Sequence, residues 1–132
     1  MNIINRPTFF ILAANEREDE LIFDLNLGKF SYKEVIGAYK GITERSFVII
    51  DELVSIENVV RTFARYYKQH SYLKVDADTR HAYLIYPNSQ SIGGAPQSVE
   101  HIGTWVEVPK SIALAKQGYT FDPSTGLYYT TE

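Results

Sequence analysis

From Thr8 to Ala14 the chain is continuously apolar and rich in strand-favouring residues, the pattern of a central strand buried on both faces. Acidic residues follow at once. Asn15 can cap a helix over residues 16–27: acids fill its first turn, Glu18 stands at the capping-box position, and Gly28 can end it. Leu21–Leu27 also alternates like a strand, and the short helix is the preferred reading. Tyr32–Lys40 and Ser46–Asp51 read as strands joined by the turn Lys40–Arg45.

Ser55 caps the clearest helix. Ile56, Val59, Val60, Phe63, Ala64 and Tyr67 recur on one apolar face. Arg61, Arg65 and Lys68 gather toward its C-terminal end, where the helix dipole favours cations. Tyr72–Val75 and Ala82–Tyr86 form a hairpin across Asp76–Arg80, and Pro87–Gln97 reads as a mobile loop rich in Ser, Gly, Pro and Asn. Thr104–Val108 returns to strand, Pro109 ends it, and Ser111 can cap a short helix before Gly118. Tyr119–Tyr129 reads as a hairpin, with Asp122-Pro123 opening its turn and Gly126 supplying a positive φ.

Strand, helix, strand, strand, helix, strand, strand predicts an α+β fold. The expected architecture is a ferredoxin-like α-β sandwich: an antiparallel sheet, two main helices and a C-terminal strand/hairpin extension. A length of 132 residues suits one domain spanning 1–132.

Composition changes this little. Hydrophobic content of 45% and charged content of 22% are those of an ordinary folded domain. A net charge of −3 argues against a nucleic-acid partner, which calls for a basic stripe, and against a mimic of nucleic acid. With no cysteine there is no thiolate nucleophile and no cysteine-held metal. The apolar run Phe9–Ala14 is far short of a membrane span, so no membrane association and a cytoplasmic location are expected.

Candidate chemistry is sparse. His70, His81 and His101 fall at a helix end, in a strand and in a loop, so isolated histidines are favoured over a metal centre. Asp76 and Asp78 begin like a calcium loop, but Arg80 and His81 occupy the places of the later ligands. Gly93-Gly94 is too little for a phosphate cradle. Tyr32 and Glu44 bracket the glycine-punctuated stretch between the second and third strands. A phenol and a carboxylate at the two ends of that expected hairpin can converge on a cationic ligand.

Four segments carry a family likeness: Tyr32-Lys-Glu-Val-Ile36; Thr43-Glu-Arg-Ser46 leading into an apolar strand; Asn58-Val59 through the Tyr86 hairpin; and Gly103-Thr-Trp-Val-Glu-Val-Pro-Lys110 with Gly118, Thr120, Asp122 and Gly126. In their order and spacing the chain resembles the small phage-encoded S-adenosylmethionine (SAM) lyases, long described as SAM hydrolases. The region between Asn15 and Tyr32 is shorter than in that pattern. The resemblance implies cleavage of SAM to 5′-methylthioadenosine and L-homoserine lactone, without cofactor or metal, as an antirestriction activity in the host bacterial cytoplasm. It implies Glu44 and Tyr32 as catalytic residues, Thr43 beside them in substrate binding, and a homotrimer of ferredoxin-like, PII-like subunits holding SAM between them. A SAM hydrolase, a non-catalytic PII-like SAM or nucleotide sensor, and a protein that blocks a host enzyme by contact are the alternatives. Glu44 speaks against a phosphate sensor, which would place Lys or Arg at that turn.

Overall fold

The structure, a computed structural model, describes residues 7–51, 56–87 and 98–132. Its elements are β1 (Phe9–Ala13), α1 (Glu18–Leu27), β2 (Tyr32–Tyr39), β3 (Ile42–Ile50), α2 (Glu57–Tyr66), β4 (Tyr72–Val75), β5 (His81–Ile85), β6 (Val99–Val108), α3 (Lys110–Lys116), β7 (Tyr119–Asp122) and β8 (Leu127–Thr131). The strands form a closed barrel in the order β1-β3-β2-β7-β8-β6-β5-β4, antiparallel throughout.

Closure overturns the expected ferredoxin-like, PII-like sandwich. β4, β1, β3 and β2 do lie side by side with α1 and α2 as crossovers, but neither β4 nor β2 is an edge. The cause is β6, which starts at Val99 instead of Thr104 and runs for 10 residues. Its first half pairs with β5 and its second with β8, so one long strand joins two hairpins into a single wall. The wall bends at Gly103. The register shifts opposite it, its φ is +131°, and a Cβ there would sit 2.8 Å from the Glu132 carbonyl oxygen. Thr104 and Glu132 exchange two backbone hydrogen bonds of 2.7 and 2.9 Å beside it. Closing the sheet also removes the open edges that would otherwise call for a covering subunit.

Strand alternation splits one apolar sequence into two cores. On β1, Phe9 faces the barrel interior with Val35, Val48, Ile50, Val75, Ala82, Trp105 and Tyr129. Phe10 and Leu12 face outward and pack with Leu21 and Leu25 of α1 and Val60 and Ala64 of α2. β1 is therefore buried on both faces, as its composition suggests. Inside the barrel Trp105 stacks on Tyr129 at 5.4 Å and meets Phe9 edge-on at the same distance.

Helix starts differ from their expected caps. Ala14 to Arg17 closes as a turn, the Arg17 N–H donating to the Ala14 carbonyl at 3.0 Å. Asn15 and Glu16 both take left-handed backbone there, so Asn15 caps nothing and α1 begins at Glu18 without a side-chain cap. Ser55 and the loop over 88–97, with Gly93-Gly94, lie outside the described residues. α3 starts after Pro109, not from a Ser111 cap. The Asp122-Pro123 turn forms as expected, with Gly126 at φ +76° and its N–H bonded to the Asp122 carbonyl at 2.8 Å.

Asp122 also anchors the interior. It is fully buried and pairs with Lys33 of β2, while Ser124 donates to it through its N–H and its hydroxyl at 3.0 and 2.8 Å. Burial alone would raise this carboxyl, but the bonds from Lys33 and Ser124 outweigh it and hold the pKa below the usual carboxylate value. A depressed acid pKa adds stability above the unfolded pKa and loses it as pH falls through the folded one. Asp122→Asn strands a half-buried ammonium, and a loss of about 3 kcal/mol is expected in urea unfolding at pH 7. The gap between variant and wild type should shrink as pH drops below the ordinary carboxylate range.

Candidate functional site

β2 and β3 form the hairpin that carries the three residues singled out in the sequence. Their register pairs Tyr32 with Ile49 and Gly37 with Glu44. Tyr32 shares the helix-side face with Ile49, packs edge-on against Phe47 at 6.2 Å, and donates from its hydroxyl to Asn26 Oδ1 of α1 at 2.9 Å. Glu44 falls on the other face, in step with Ser46, Val48 and Ile50, and so belongs to the interior side. Five strand positions separate the two, roughly 17 Å at the rise of a β-strand. One chain does not bring Tyr32 and Glu44 together. Thr43 alternates with Glu44 onto the outer face and is exposed.

Glu44 stands instead at the mouth of the barrel, on a cavity of about 430 Å³. Ser46 lies deeper on the same strand, and Gly37 opposite Glu44 leaves room: a Cβ there would come within 2.9 Å of the Ser46 hydroxyl. Tyr39, Tyr86 and Tyr119 line the same cavity, as does His70, whose ring meets that of Tyr86 at 5.3 Å. A concave site of this size rich in aromatic residues suits a small organic ligand. The sequence reading left His70 as an isolated residue and missed all three tyrosines. They come from separate segments that only closure of the barrel assembles.

Electrostatics single out Glu44 further. Burial at the cavity raises its carboxyl pKa, and the charge of Glu18 raises it again. Glu18, assigned a capping role from sequence, stands at the start of α1 with its Oε2 buried and, among the described residues, without a hydrogen-bond partner. Among the described residues no cation pairs with Glu44. The neighbouring Arg45 points away and grips Glu34 through two bonds of 2.9 and 3.0 Å on the opposite face. The mouth thus holds an acid whose ionised form is disfavoured by burial and by the charge of Glu18, an arrangement a cationic ligand relieves.

Other candidates are placed as follows. The rings of His81 on β5 and His101 on β6 meet at a tilt, 4.8 Å apart, and among the described residues no group of three metal-ligating side chains gathers anywhere. Asp76 accepts N–H bonds from Asp78 and Thr79 at 3.0 and 3.1 Å, which makes it an Asx turn at a hairpin tip. Among the described residues no helix is long and apolar enough to cross a membrane.

A carboxylate with a raised folded pKa costs stability when ionised. That cost is present above the folded pKa and vanishes below the unfolded one. Glu44→Gln should therefore match or exceed the wild-type Tm at pH 7 and lose that advantage toward pH 4. A Tm series across this range on both proteins reads the sign directly.

The model of the S-Adenosylmethionine lyase family matches residues 11–132. No curated protein matches the chain.

Proposed function

We propose, from the premise that the chain belongs to the S-adenosylmethionine lyase family and is a SAM lyase, that Glu44 at the barrel mouth is the group that receives the cationic substrate. The observation that carries this is the Glu44 carboxylate, without a cation partner among the described residues and held above its ordinary pKa on a cavity of about 430 Å³. SAM brings two positive centres, a sulfonium and an ammonium, and Glu18 supplies a second acid close enough to act on Glu44. The tyrosines at the mouth offer faces to the sulfonium and to the adenine ring.

The chemistry asks little of the protein. The substrate carboxylate attacks the γ-methylene beside sulfur, and a C–O bond forms as the C–S bond breaks. The bonding pair leaves on sulfur as neutral 5′-methylthioadenosine, and the five-membered homoserine lactone remains. No proton moves and no water enters, so holding SAM folded is the main task. Effective molarities of about 10⁵ M and above are open to such intramolecular steps. Opposite charges annihilate on the way to the transition state, which a partly dry mouth favours over bulk water.

Tyr32 enters from a second copy in this account. Tyr39 and Ile42, exposed at 69% and 76%, flank Glu44 at the hairpin tip, while Phe23 and Leu27, exposed at 65% and 72%, flank Asn26 beside Tyr32. Covering both patches in a ring of like subunits, a homotrimer, sets Glu44 of one copy against Tyr32 of the next. Thr43, at the same exposed tip, then lies at that seam as a substrate contact. Consumption of SAM in the bacterial cytoplasm would deprive SAM-dependent restriction-modification enzymes, the antirestriction role of a phage protein.

Turnover is read by chromatography of methylthioadenosine. Glu44→Gln should lose about 10²-fold or more with the fold intact, and Tyr32→Phe should lose less because the ring stays. In ¹⁸O-water, freshly formed lactone should carry no label. Label at the γ-hydroxyl of homoserine establishes hydrolysis with Glu44 as general base, and near wild-type turnover of Glu44→Gln removes Glu44 from the site.

A further inference from the structure

Tyr86 stands on the wall of the cavity opposite Glu44. From β3, which carries Glu44, the barrel reaches β5 in three steps through β1 and β4, roughly 14 Å at a strand spacing of about 4.8 Å. Ile11 and Ala13 of β1 and Leu73 of β4 line the stretch between, and Tyr86 follows β5 directly. Tyr39 and Tyr119 line the cavity from β2 and β7, one and two steps from β3, on Glu44's own side.

Backbone, hydroxyl and ring of Tyr86 are each held. Its N–H donates to the Ser98 carbonyl at 3.0 Å, which carries the ladder one residue past the end of β5. Its hydroxyl donates to Glu100 Oε1 at 2.8 Å, and that bond raises the phenol pKa and keeps the proton on the tyrosine. The carbonyl of the next residue, Pro87, accepts from Arg65 Nε of α2 at 2.9 Å. The ring meets His70 edge-on, 5.3 Å between centroids at 74°, and an edge-on neighbour covers at most one face. A ring fixed before the ligand arrives lowers the ordering cost of binding. Tyr39, by contrast, is 69% exposed and already has the Lys40 ammonium 5.4 Å from its ring centre.

SAM has a matching separation built in. Its sulfonium hangs from the 5′ carbon of the ribose and its adenine from the 1′ carbon, so a cation held at Glu44 sends the base across the cavity. We propose that Tyr86, positioned by Glu100 and flanked by His70, stacks the adenine and makes the site specific for a nucleoside sulfonium. The inference rests on Glu44 as the receptor of the cation. 5′-Methylthioadenosine keeps the base and has lost the charge, so the product stays on Tyr86 after it has released Glu44.

Equilibrium dialysis of 5′-methylthioadenosine against the full chain tests the subsite with a neutral probe. Tyr86→Ala should weaken binding about 10-fold and raise the KM for SAM by a similar factor, with a smaller change in kcat. Tyr86→Phe keeps the ring and should stay closer to wild type. Glu100 is exposed, so its variants give a reading free of folding loss. Glu100→Ala should weaken binding, and Glu100→Gln should restore it, because the amide carbonyl still accepts from the hydroxyl. No binding by wild type, undiminished binding by Tyr86→Ala, a loss in Tyr86→Phe as deep as in Tyr86→Ala, or Glu100→Gln as weak as Glu100→Ala would overturn the proposal. Near wild-type turnover of Glu44→Gln sinks the cation receptor alone, since the probe carries no charge.

Discussion

Side-chain alternation along β1 and β3 is the constraint from which the rest follows. β1 and the second half of β3, Ser46–Ile50, are buried on both faces, so every second residue must serve a different core: Phe9, Val48 and Ile50 the barrel interior, Phe10, Leu12, Phe47 and Ile49 the helix layer. A slip of one residue would exchange the two sets, which fixes the register of the β2–β3 hairpin. That register sends Glu44 inward and Tyr32 outward. The placing of the chemical groups is thus a consequence of packing. Barrel closure then converts the inward positions at one end into a mouth.

Much of the local structure was legible because it rests on local rules. The apolar run of β1, the single face of α2 and the Asp122–Gly126 turn each follow from short-range pattern or turn chemistry. Closure was not legible. It depends on the length of β6, whose first half, Val99–Gly103, mixes exposed polar and small residues and carries no strand signal strong enough to stand alone. Without that half of β6 the chain reads as an open sandwich. The α1 cap failed for a different reason: the Asn15-Glu16 pair adopts left-handed backbone to turn the chain, so tertiary geometry overrode a favourable capping pattern.

Glu44 was singled out from sequence, while the cavity beside it was not. The pairing with Tyr32 assumed that the two ends of a hairpin converge, yet the two-residue period puts them on opposite sides of a wall. Glu18 carried a capping label and proves to be the acid that unsettles Glu44. Tyr39, Tyr86 and Tyr119 have no shared sequence signal, since the barrel collects them from β2, the end of β5 and β7. An unpaired acid and a separated phenol are complementary halves. On the proposed reading each is incomplete within one chain, and a ring of copies would supply the missing half of each.

Subunit complementation tests that claim most directly. Glu44→Gln and Tyr32→Ala proteins, each inactive alone, are unfolded together, refolded as an equimolar mixture, and assayed for methylthioadenosine from SAM. Native mass spectrometry of the same sample confirms the mixed assemblies. Shared sites predict recovered turnover, because a mixed ring contains seams that join an intact Glu44 to an intact Tyr32. Mixed assemblies that form and remain as inactive as either parent would contradict the account.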